Sequence, residues 1–225
     1  MGWRDWVRTV EIEPSLYAAD FSRLGEEVEI LLRAGVRVFH FDVGDGHFVE
    51  PITMGPIVLR AIAPIVHAMD GVVDCHLMVD NPLRHFPQID EAGGDSVTFH
   101  YEAVDDVPAT ISVAREHGLQ VGVAFSPETD PVEVAAVSGD ADLVLCMSIH
   151  PGYSGQEFMA EAVARVHTLR AALPESIYIQ VDGGIDLENI GDVHAAGARL
   201  FVAGSSIFAR EDLPRSYRRL VQALA

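Results

Sequence analysis

The sequence predicts a single (β/α)8 barrel, the TIM-barrel fold, occupying residues 1–225 as one domain. Short β-branched runs alternate with longer segments of helical period along the whole chain, which is typical of repeated βα units around a parallel sheet. A length of 225 residues, 49% of them hydrophobic, suits one barrel with one core. No linker, low-complexity tract or charge run divides the chain, so we expect no second domain.

Eight runs rich in Val, Ile, Leu and Phe are predicted to be strands. In chain order they cover residues 10–16, 36–42, 72–78, 96–101, 120–126, 143–148, 177–182 and 200–203. Residues 21–34, 107–117, 160–173 and 187–196 carry apolar residues at helical spacing and are predicted to be helices. Gly35, Gly93, Gly118 and Gly197 stand where glycine commonly ends a helix. The alternative, an open doubly wound sheet, usually has fewer strands.

The charge composition limits the possible partners and reactions. A net charge of −19 disfavours nucleic acid, because affinity for a phosphate backbone comes from clustered basic side chains. All 15 basic residues are arginine, so no lysine can form a Schiff base with a carbonyl substrate. An anionic substrate therefore needs a local binding site that differs from the acidic surface.

The cysteines and the N-terminus bear on the cellular compartment. Cys75 and Cys146 both lie inside apolar runs, which argues against a disulfide framework or a cysteine zinc site. The first ten residues lack the apolar stretch of a secretory signal, and no apolar run approaches the roughly 18 residues of a membrane span. We therefore expect a cytoplasmic protein with no membrane partner.

Polar residues recur at the predicted carboxyl ends of the strands, where barrel active sites are built. His40 and Asp42 end the second strand two residues apart, so both side chains point to the same face. His76 and Met78 have the same spacing on the third strand, and Asp182 ends the seventh. Two imidazoles and two carboxylates suit zinc, iron, manganese or cobalt. Taken singly, each residue could instead cap a strand or bond a loop amide.

Glycine-rich segments follow the last three predicted strands. HPGYSGQ (150–156), DGG (182–184) and AGSSIF (203–208) all begin on the same side of the barrel. Glycine lets backbone N–H groups approach an anion, and residues 204–208 are typical of the short extra helix that holds a phosphate group. Each stretch alone could be an ordinary tight turn, so their joint position is what predicts a phosphate site.

Six motifs in their order and spacing resemble the ribulose-phosphate 3-epimerase family over nearly the whole chain. They are PSLYAADF (14–21), HFDVGDGHF (40–48), DCHLM (74–78), HPGYSGQ (150–156), VDGG (181–184) and AGSSIF (203–208). The resemblance implies a metal-dependent isomerase that takes a proton from C3 of a phosphorylated ketose, forms an enediolate, and returns a proton from the opposite face.

The resemblance also implies a role for each matching residue. One divalent ion would be held by His40, Asp42, His76 and Asp182, and Asp42 and Asp182 would act as acid and base. The substrate would be contacted by Ser15, His76, Met78, Met147, Gly152, Ser154, Gly155, Gly183, Gly184, Gly204 and Ser205. Members of the family form dimers and larger rings, so a homo-oligomer is expected, and Trp3 and Trp6 could cover either the barrel bottom or a neighbour.

Several positions depart from the family pattern. Gly44 stands where the family usually has methionine, which we interpret as a missing lining side chain and a roomier pocket. The other departures are Tyr17, Ala18, the pair Glu50–Pro51, His150 and Ser154. None affects the four predicted metal ligands, so they bear on the shape of the substrate rather than on the type of reaction.

The leading functional hypothesis is interconversion of ribulose 5-phosphate and xylulose 5-phosphate. A six-carbon version, allulose-6-phosphate 3-epimerase, shares the implied mechanism and would fit a roomier pocket. Barrels of the orotidine decarboxylase or tryptophan-pathway type do not explain the paired histidines, and the former needs a lysine that this chain lacks. A non-catalytic barrel that binds a sugar phosphate remains the alternative from another class.

Overall fold

The computed structural model describes residues 2–224. Its eight strands are β1 (Glu11–Pro14), β2 (Val38–Gly44), β3 (Val72–Met78), β4 (Ser96–His100), β5 (Gln120–Phe125), β6 (Leu143–Met147), β7 (Tyr178–Asp182) and β8 (Leu200–Ala203). The α-helices are α1 (Trp3–Trp6), α2 (Leu24–Ala34), α3 (Pro56–His67), α4 (Phe86–Ala92), α5 (Val107–Glu116), α6 (Pro131–Val137), α7 (Glu161–Ala172), α8 (Ile190–Ala196), α9 (Ser205–Phe208) and α10 (Leu213–Ala223). Each of these helices is too short or too polar to cross a membrane.

The strands form one parallel sheet that closes on itself. Its order is β1-β8-β7-β6-β5-β4-β3-β2. A parallel bridge from Ser15, just after β1, to His40 of β2 joins the two remaining edges. The predicted (β/α)8 barrel is confirmed, and an open doubly wound sheet is excluded because that fold keeps two free edges.

The predicted helix ends agree with the structure. The four glycines named from the sequence all have positive φ, with values of 103° at Gly35, 93° at Gly93, 77° at Gly118 and 123° at Gly197. A side chain is disfavoured in this left-handed region, which explains the choice of glycine. The predicted helix at 21–34 begins later, because Phe21–Arg23 forms one 3-10 turn capped by the Asp20 carboxylate before α2 starts.

The alternation of side chains along each strand separates two apolar regions. Outward-facing residues such as Phe39 and Phe99 are buried in the layer between sheet and helices. A second cluster fills the barrel interior, and in it Trp3 and Trp6 pack with Val38 and Leu200, the first residues of β2 and β8. Helix α1 therefore covers the bottom of the barrel, which leaves the opposite mouth open for a site.

Candidate active site

The strand ends bring together the four side chains that the sequence singled out as a metal site. His40 and Asp42 project from β2 to the same face, and the β2–β3 register places Asp42 opposite His76. Asp182 ends β7. One ligand atom from each of the four side chains lies within 4.8 Å of all the others. Both histidines and Asp42 are buried, and Asp182 is half-buried.

The facing atoms converge on a small volume between the two carboxylates. His40 Nε2 lies 3.3 Å from Asp42 Oδ1 and 4.0 Å from Asp182 Oδ2. His76 Nδ1 lies 3.2 Å from the same Asp42 oxygen and 3.8 Å from Asp182 Oδ2. The other Asp42 oxygen accepts a hydrogen bond from Ser15 Oγ at 2.6 Å, which holds the carboxylate with Oδ1 towards the histidines.

This donor set fits a divalent cation. Two imidazole nitrogens and two carboxylate oxygens are ligands that zinc, iron, manganese and cobalt all accept. His40 Nε2 is buried and has no hydrogen-bond partner among residues 2–224, although it faces both carboxylates. Buried nitrogens are rarely left unbonded, so an additional group is expected at this position. The cluster is therefore a site able to hold a divalent metal ion.

The two carboxylates have pKa values displaced in opposite directions. Burial and the nearby charge of Asp42 raise the pKa of Asp182 to about 7. Burial alone would raise the pKa of Asp42 as well, but its interactions with the neighbouring imidazoles of His40 and His76 hold the pKa below its ordinary value. Two neighbouring carboxylates in different protonation states can give and accept protons at the same place.

A buried polar layer beneath the mouth orients His40. Asp74 Oδ2 lies 3.3 Å from His40 Nδ1 and also accepts a hydrogen bond from Gln180 Nε2 at 3.0 Å. Gln180 Nε2 donates to Glu13 Oε2 at 2.6 Å, and burial raises the pKa of Glu13 well above its ordinary value. A hydrogen on Nδ1 pointing at Asp74 leaves His40 Nε2 free to face the cluster.

Sequence reasoning did not identify this layer. Glu13, Asp74 and Gln180 lie two residues before Ser15, His76 and Asp182, so they share the inward face of their strands. Polar residues at that spacing inside apolar runs were the available signal.

A pocket above the four side chains is lined by almost every residue predicted to contact the substrate. The lining includes the two carboxylates Asp42 and Asp182 together with Ser15, Met78, Met147, Gly152, Ser154, Gly155, Gly183, Gly184, Gly204 and Ser205. His40 and His76 are fully buried and are not part of this lining. The structure therefore gives His76 a position facing the cation site, but it does not give it the expected position in the pocket wall.

The glycine-rich end of the pocket depends on backbone conformation and close packing. Gly183 has a φ of 119°, and a Cβ there would lie 2.4 Å from Ile149 Cγ1. Gly184 has a φ of 64°, and its Cβ would lie 2.8 Å from the backbone nitrogen of Phe158. Only glycine fits either position, which brings the main chain to the pocket surface. Helix α9 begins directly after Gly204, as the sequence predicted.

The interpretation of Gly44 as vacated space is wrong. A Cβ on Gly44 would lie 2.9 Å from the Pro51 carbonyl oxygen, 3.0 Å from Val49 Cγ2 and 3.1 Å from Thr53 Cγ2. The Gly44 N–H donates to Thr53 Oγ1 at 2.6 Å, so the loop after β2 folds tightly onto this residue. The loop fills the volume, and Gly44 is absent from the residues that line the pocket.

Gly44→Met is expected to lower the free energy of unfolding by about 1–3 kcal/mol, since the larger side chain must displace the loop. Urea denaturation measures this effect. Gly191→Ala in α8 is the matched control, because nothing lies within 4 Å of its Cβ position and alanine favours a helix. Unchanged stability in Gly44→Met would contradict the packing described for the loop.

Further pocket residues had no predicted role in binding. Ile149, Tyr153, Ile185 and Val202 complete the lining, together with Tyr17, which had been noted only as a departure from the family pattern. Tyr153 Oη donates to Glu50 Oε2 at 3.1 Å and joins the loops after β6 and β2. This contact spans 103 residues of sequence, so no local pattern could predict it.

The fold and the site define a class of protein: a (β/α)8 barrel with a cluster of two histidines and two aspartates able to hold a metal ion, and a glycine-rich pocket at its mouth. The profile described as the ribulose-phosphate 3 epimerase family matches residues 11–208. Ribulose-phosphate 3-epimerase of Escherichia coli K12 is 38% identical over 216 residues, covering 95% of this chain and 93% of that protein. The enzyme of Bacillus subtilis 168 is 36% identical over 207 residues, covering 90% and 94%. The chain belongs to the ribulose-phosphate 3-epimerase family.

Solved structures of lower identity share the fold. The 3-hexulose-6-phosphate synthase of Salmonella typhimurium superposes with a TM-score of 0.71 at 19% identity, covering 95% of this chain and 98% of that one. Orotidine 5'-phosphate decarboxylase of Pyrococcus horikoshii OT3 gives a TM-score of 0.69 at 13% identity, with coverages of 95% and 98%. At these identities the likeness concerns the barrel architecture alone.

Proposed function

We propose that this chain is an isomerase that interconverts ribulose 5-phosphate and xylulose 5-phosphate by inverting C3 through an enediolate. The observation that carries the proposal is the placement of Asp42 and Asp182 together at the pocket floor, each facing both histidines. The family relationship supports the same reaction. The close pairing of carboxylates gives one carbon atom two acid–base groups, which inversion requires.

The acid and base roles fall to Asp42 and Asp182. A proton taken from one face of C3 by an ionised carboxylate must be replaced on the other face by a protonated one. The opposite displacement of the two pKa values supports this arrangement, because Asp42 is ionised at pH values below about 7, where Asp182 still keeps its proton. The hydrogen bond from Ser15 fixes the orientation of Asp42 beside the substrate.

His40, Asp42, His76 and Asp182 are the residues that would hold the divalent cation. Such a cation would stabilise the negative charge that develops on the substrate oxygens when C3 loses its proton. This help would be needed because the C3 proton is too weakly acidic for an ordinary carboxylate base. The donor set accommodates zinc, iron, manganese or cobalt. The remaining pocket residues orient the sugar, with Met78 and Met147 supplying apolar wall.

The glycine-rich end of the pocket would receive the phosphate group. No arginine is among the residues that line the pocket, so backbone N–H groups and the hydroxyls of Ser154 and Ser205 would bind the anion. These groups would form a local anion-binding site on an otherwise acidic protein. The proposal also includes residues 1–225 as one domain, assembly as a homo-oligomer, and action in the cytoplasm with no nucleic-acid or membrane partner.

The substrate assignment is tested by comparing turnover of ribulose 5-phosphate with turnover of allulose 6-phosphate. The protein is first stripped with a chelator and then given one equivalent of zinc, iron, manganese or cobalt. We expect metal-dependent turnover with the higher kcat/KM on the five-carbon sugar, because the loop after β2 fills the volume beside Gly44. A higher kcat/KM on the six-carbon sugar would overturn the pentulose assignment, and no turnover of either would overturn the enzyme proposal.

Replacing Gly155 with Asp is expected to raise KM for the phosphorylated ketose by roughly tenfold relative to Gly155→Asn, since repulsion between a carboxylate and the phosphate costs about 1.4 kcal/mol at this exposed position. The pair is matched because Asp and Asn are similar in size and tolerate the positive φ of 84° at this open position. Steady-state kinetics at low salt measures the ratio. Equal KM values in the two variants would place the phosphate elsewhere.

A further inference from the structure

His76 has a second neighbour that the proposed reaction does not use. Its Nδ1 faces Asp42 and Asp182, while its Nε2 lies 2.9 Å from Nε2 of His100, the last residue of β4. Both imidazoles are fully buried, and the ring of Phe48 packs against His100 with centroids 4.7 Å apart. Two nitrogens this close form a hydrogen bond only if one carries a hydrogen and the other does not.

The contacts of Glu102, on the other side of His100 from His76, decide which nitrogen of the His76–His100 pair carries the hydrogen. His100 Nδ1 lies 3.2 Å from Glu102 Oε2. The other oxygen of Glu102 accepts hydrogen bonds from the backbone N–H of Ser126 and from the hydroxyl of Thr129. An ionised carboxylate only accepts, so Nδ1 of His100 must be the donor to Glu102.

The positions of the other hydrogens follow from the series of contacts that runs from Glu102 through His100 and His76 to the proposed cation site. A neutral His100 with its hydrogen on Nδ1 has a bare Nε2, which accepts from His76. His76 must then carry its own hydrogen on Nε2, which leaves Nδ1, facing Asp42 and Asp182, as the nitrogen available to a cation. The opposite order would direct a bare His100 nitrogen at the Glu102 carboxylate, so only one direction satisfies the contacts from Glu102 to His76.

We propose that His100, anchored by Glu102, is a positioning residue that fixes His76 in the tautomer with an unprotonated Nδ1 facing the divalent cation. This rests on the proposed metal site. Outer hydrogen-bond partners of this kind select the tautomer and orientation of a metal-binding imidazole. Asp74 contacts His40 Nδ1 in the same way from the other side of the site, so each histidine keeps its other nitrogen facing the same point.

The proposal is tested by the affinity of the metal-free protein for Co²⁺, measured by chelator competition. His100→Phe removes the acceptor but keeps an aromatic ring, and we expect a dissociation constant about 10–100-fold higher. His100→Gln keeps an amide oxygen to accept from His76 Nε2–H and is expected to bind Co²⁺ nearly as well as the unmodified chain. The matched control is His67→Phe, which removes an imidazole paired with Asp95 outside the site and leaves the affinity unchanged.

Glu102→Gln provides an independent test that leaves both imidazoles in place. An amide N–H facing His100 Nδ1 opposes the required direction of the hydrogen bonds, so weaker Co²⁺ binding is expected. Nitrogen-15 NMR of the metal-free, unmodified chain should show the hydrogen of His76 on Nε2, and this measurement also serves if His100→Phe does not fold.

Each outcome bears on one of the two proposals. Unmodified protein that binds no Co²⁺ would overturn the metal site, while the NMR experiment still tests the tautomer. The positioning role would be overturned by a folded His100→Phe with unchanged Co²⁺ affinity or by a His100→Gln that binds Co²⁺ as weakly as His100→Phe. A His76 that carries its hydrogen on Nδ1 and none on Nε2 would overturn it as well.

Discussion

Asp182→Asn is expected to lower kcat for epimerisation of ribulose 5-phosphate by about 10²–10⁴-fold, the range that a positioned acid–base group contributes. Asparagine keeps the shape of the side chain and one oxygen for the cation, but it cannot take or give a proton at C3. A coupled assay for xylulose 5-phosphate measures the loss, and metal analysis shows whether the variant still carries an ion.

The same substitution is expected to stabilise the metal-free protein. Burial and the charge of Asp42 raise the pKa of Asp182 from 3.8 to about 7. A carboxyl group with a raised pKa in the folded state lowers stability as pH rises through that window, because the folded state must release a proton it holds more tightly than the unfolded chain does. The stability advantage of Asp182→Asn should therefore grow between about pH 5 and about pH 8.

Asp192→Asn is the control for both measurements, because Asp192 is exposed on α8 away from the pocket. It should leave kcat and the pH dependence of unfolding unchanged. An Asp182→Asn variant with full activity would remove Asp182 from proton transfer. A stability advantage that shrinks towards high pH would contradict the raised pKa.

His40→Ala is expected to destabilise the metal-free protein by about 3–5 kcal/mol, the cost of removing one partner from a buried group of charges. His40 lies between Asp42, Asp74 and Asp182, and no other imidazole contacts Asp74 among the described hydrogen bonds. Co²⁺ affinity should also fall by more than the roughly 10–100-fold typical of losing an outer hydrogen-bond partner. Urea denaturation and chelator competition measure the two effects.

His167→Ala on the exposed face of α7 is the control, and it should change neither quantity. Asp182→Asn is expected to stabilise the metal-free protein and His40→Ala to destabilise it, and these opposite changes in stability distinguish the roles of the two side chains. Removing a carboxylate relieves repulsion in the empty site, whereas removing an imidazole increases it. A His40→Ala variant as stable as the unmodified chain would show that the buried carboxylates do not depend on His40.

The sequence was sufficient to predict the barrel and the clustering of four side chains that could hold a metal ion. His40, Asp42, His76 and Asp182 lie at strand ends, and the closure of a parallel barrel brings all strand ends to one mouth. His100 obeys the same rule at the end of β4 but was not identified, because the residue two positions before it is Thr98, which is neither an imidazole nor a carboxylate.

Features that depend on the paths of loops could not be predicted. A glycine at position 44 indicates open space only if nothing else fills it, and here residues 49–53 fold back onto the strand end. The contact between Glu50 and Tyr153 joins two such loops across the mouth. The directions of the buried hydrogen bonds also required the full set of contacts of Glu102, which involve the last residue of β4 and the loop after β5.

The central claim is that one cation and two aspartates invert C3, and hydrogen exchange with solvent tests it most directly. The metal-loaded protein is incubated with ribulose 5-phosphate in D₂O, and both ketoses are analysed for deuterium at C3. The account predicts that xylulose 5-phosphate forms with deuterium at C3 and that both formation and exchange stop after chelation. Xylulose 5-phosphate formed without deuterium, or exchange that continues after the metal has been removed, would contradict it.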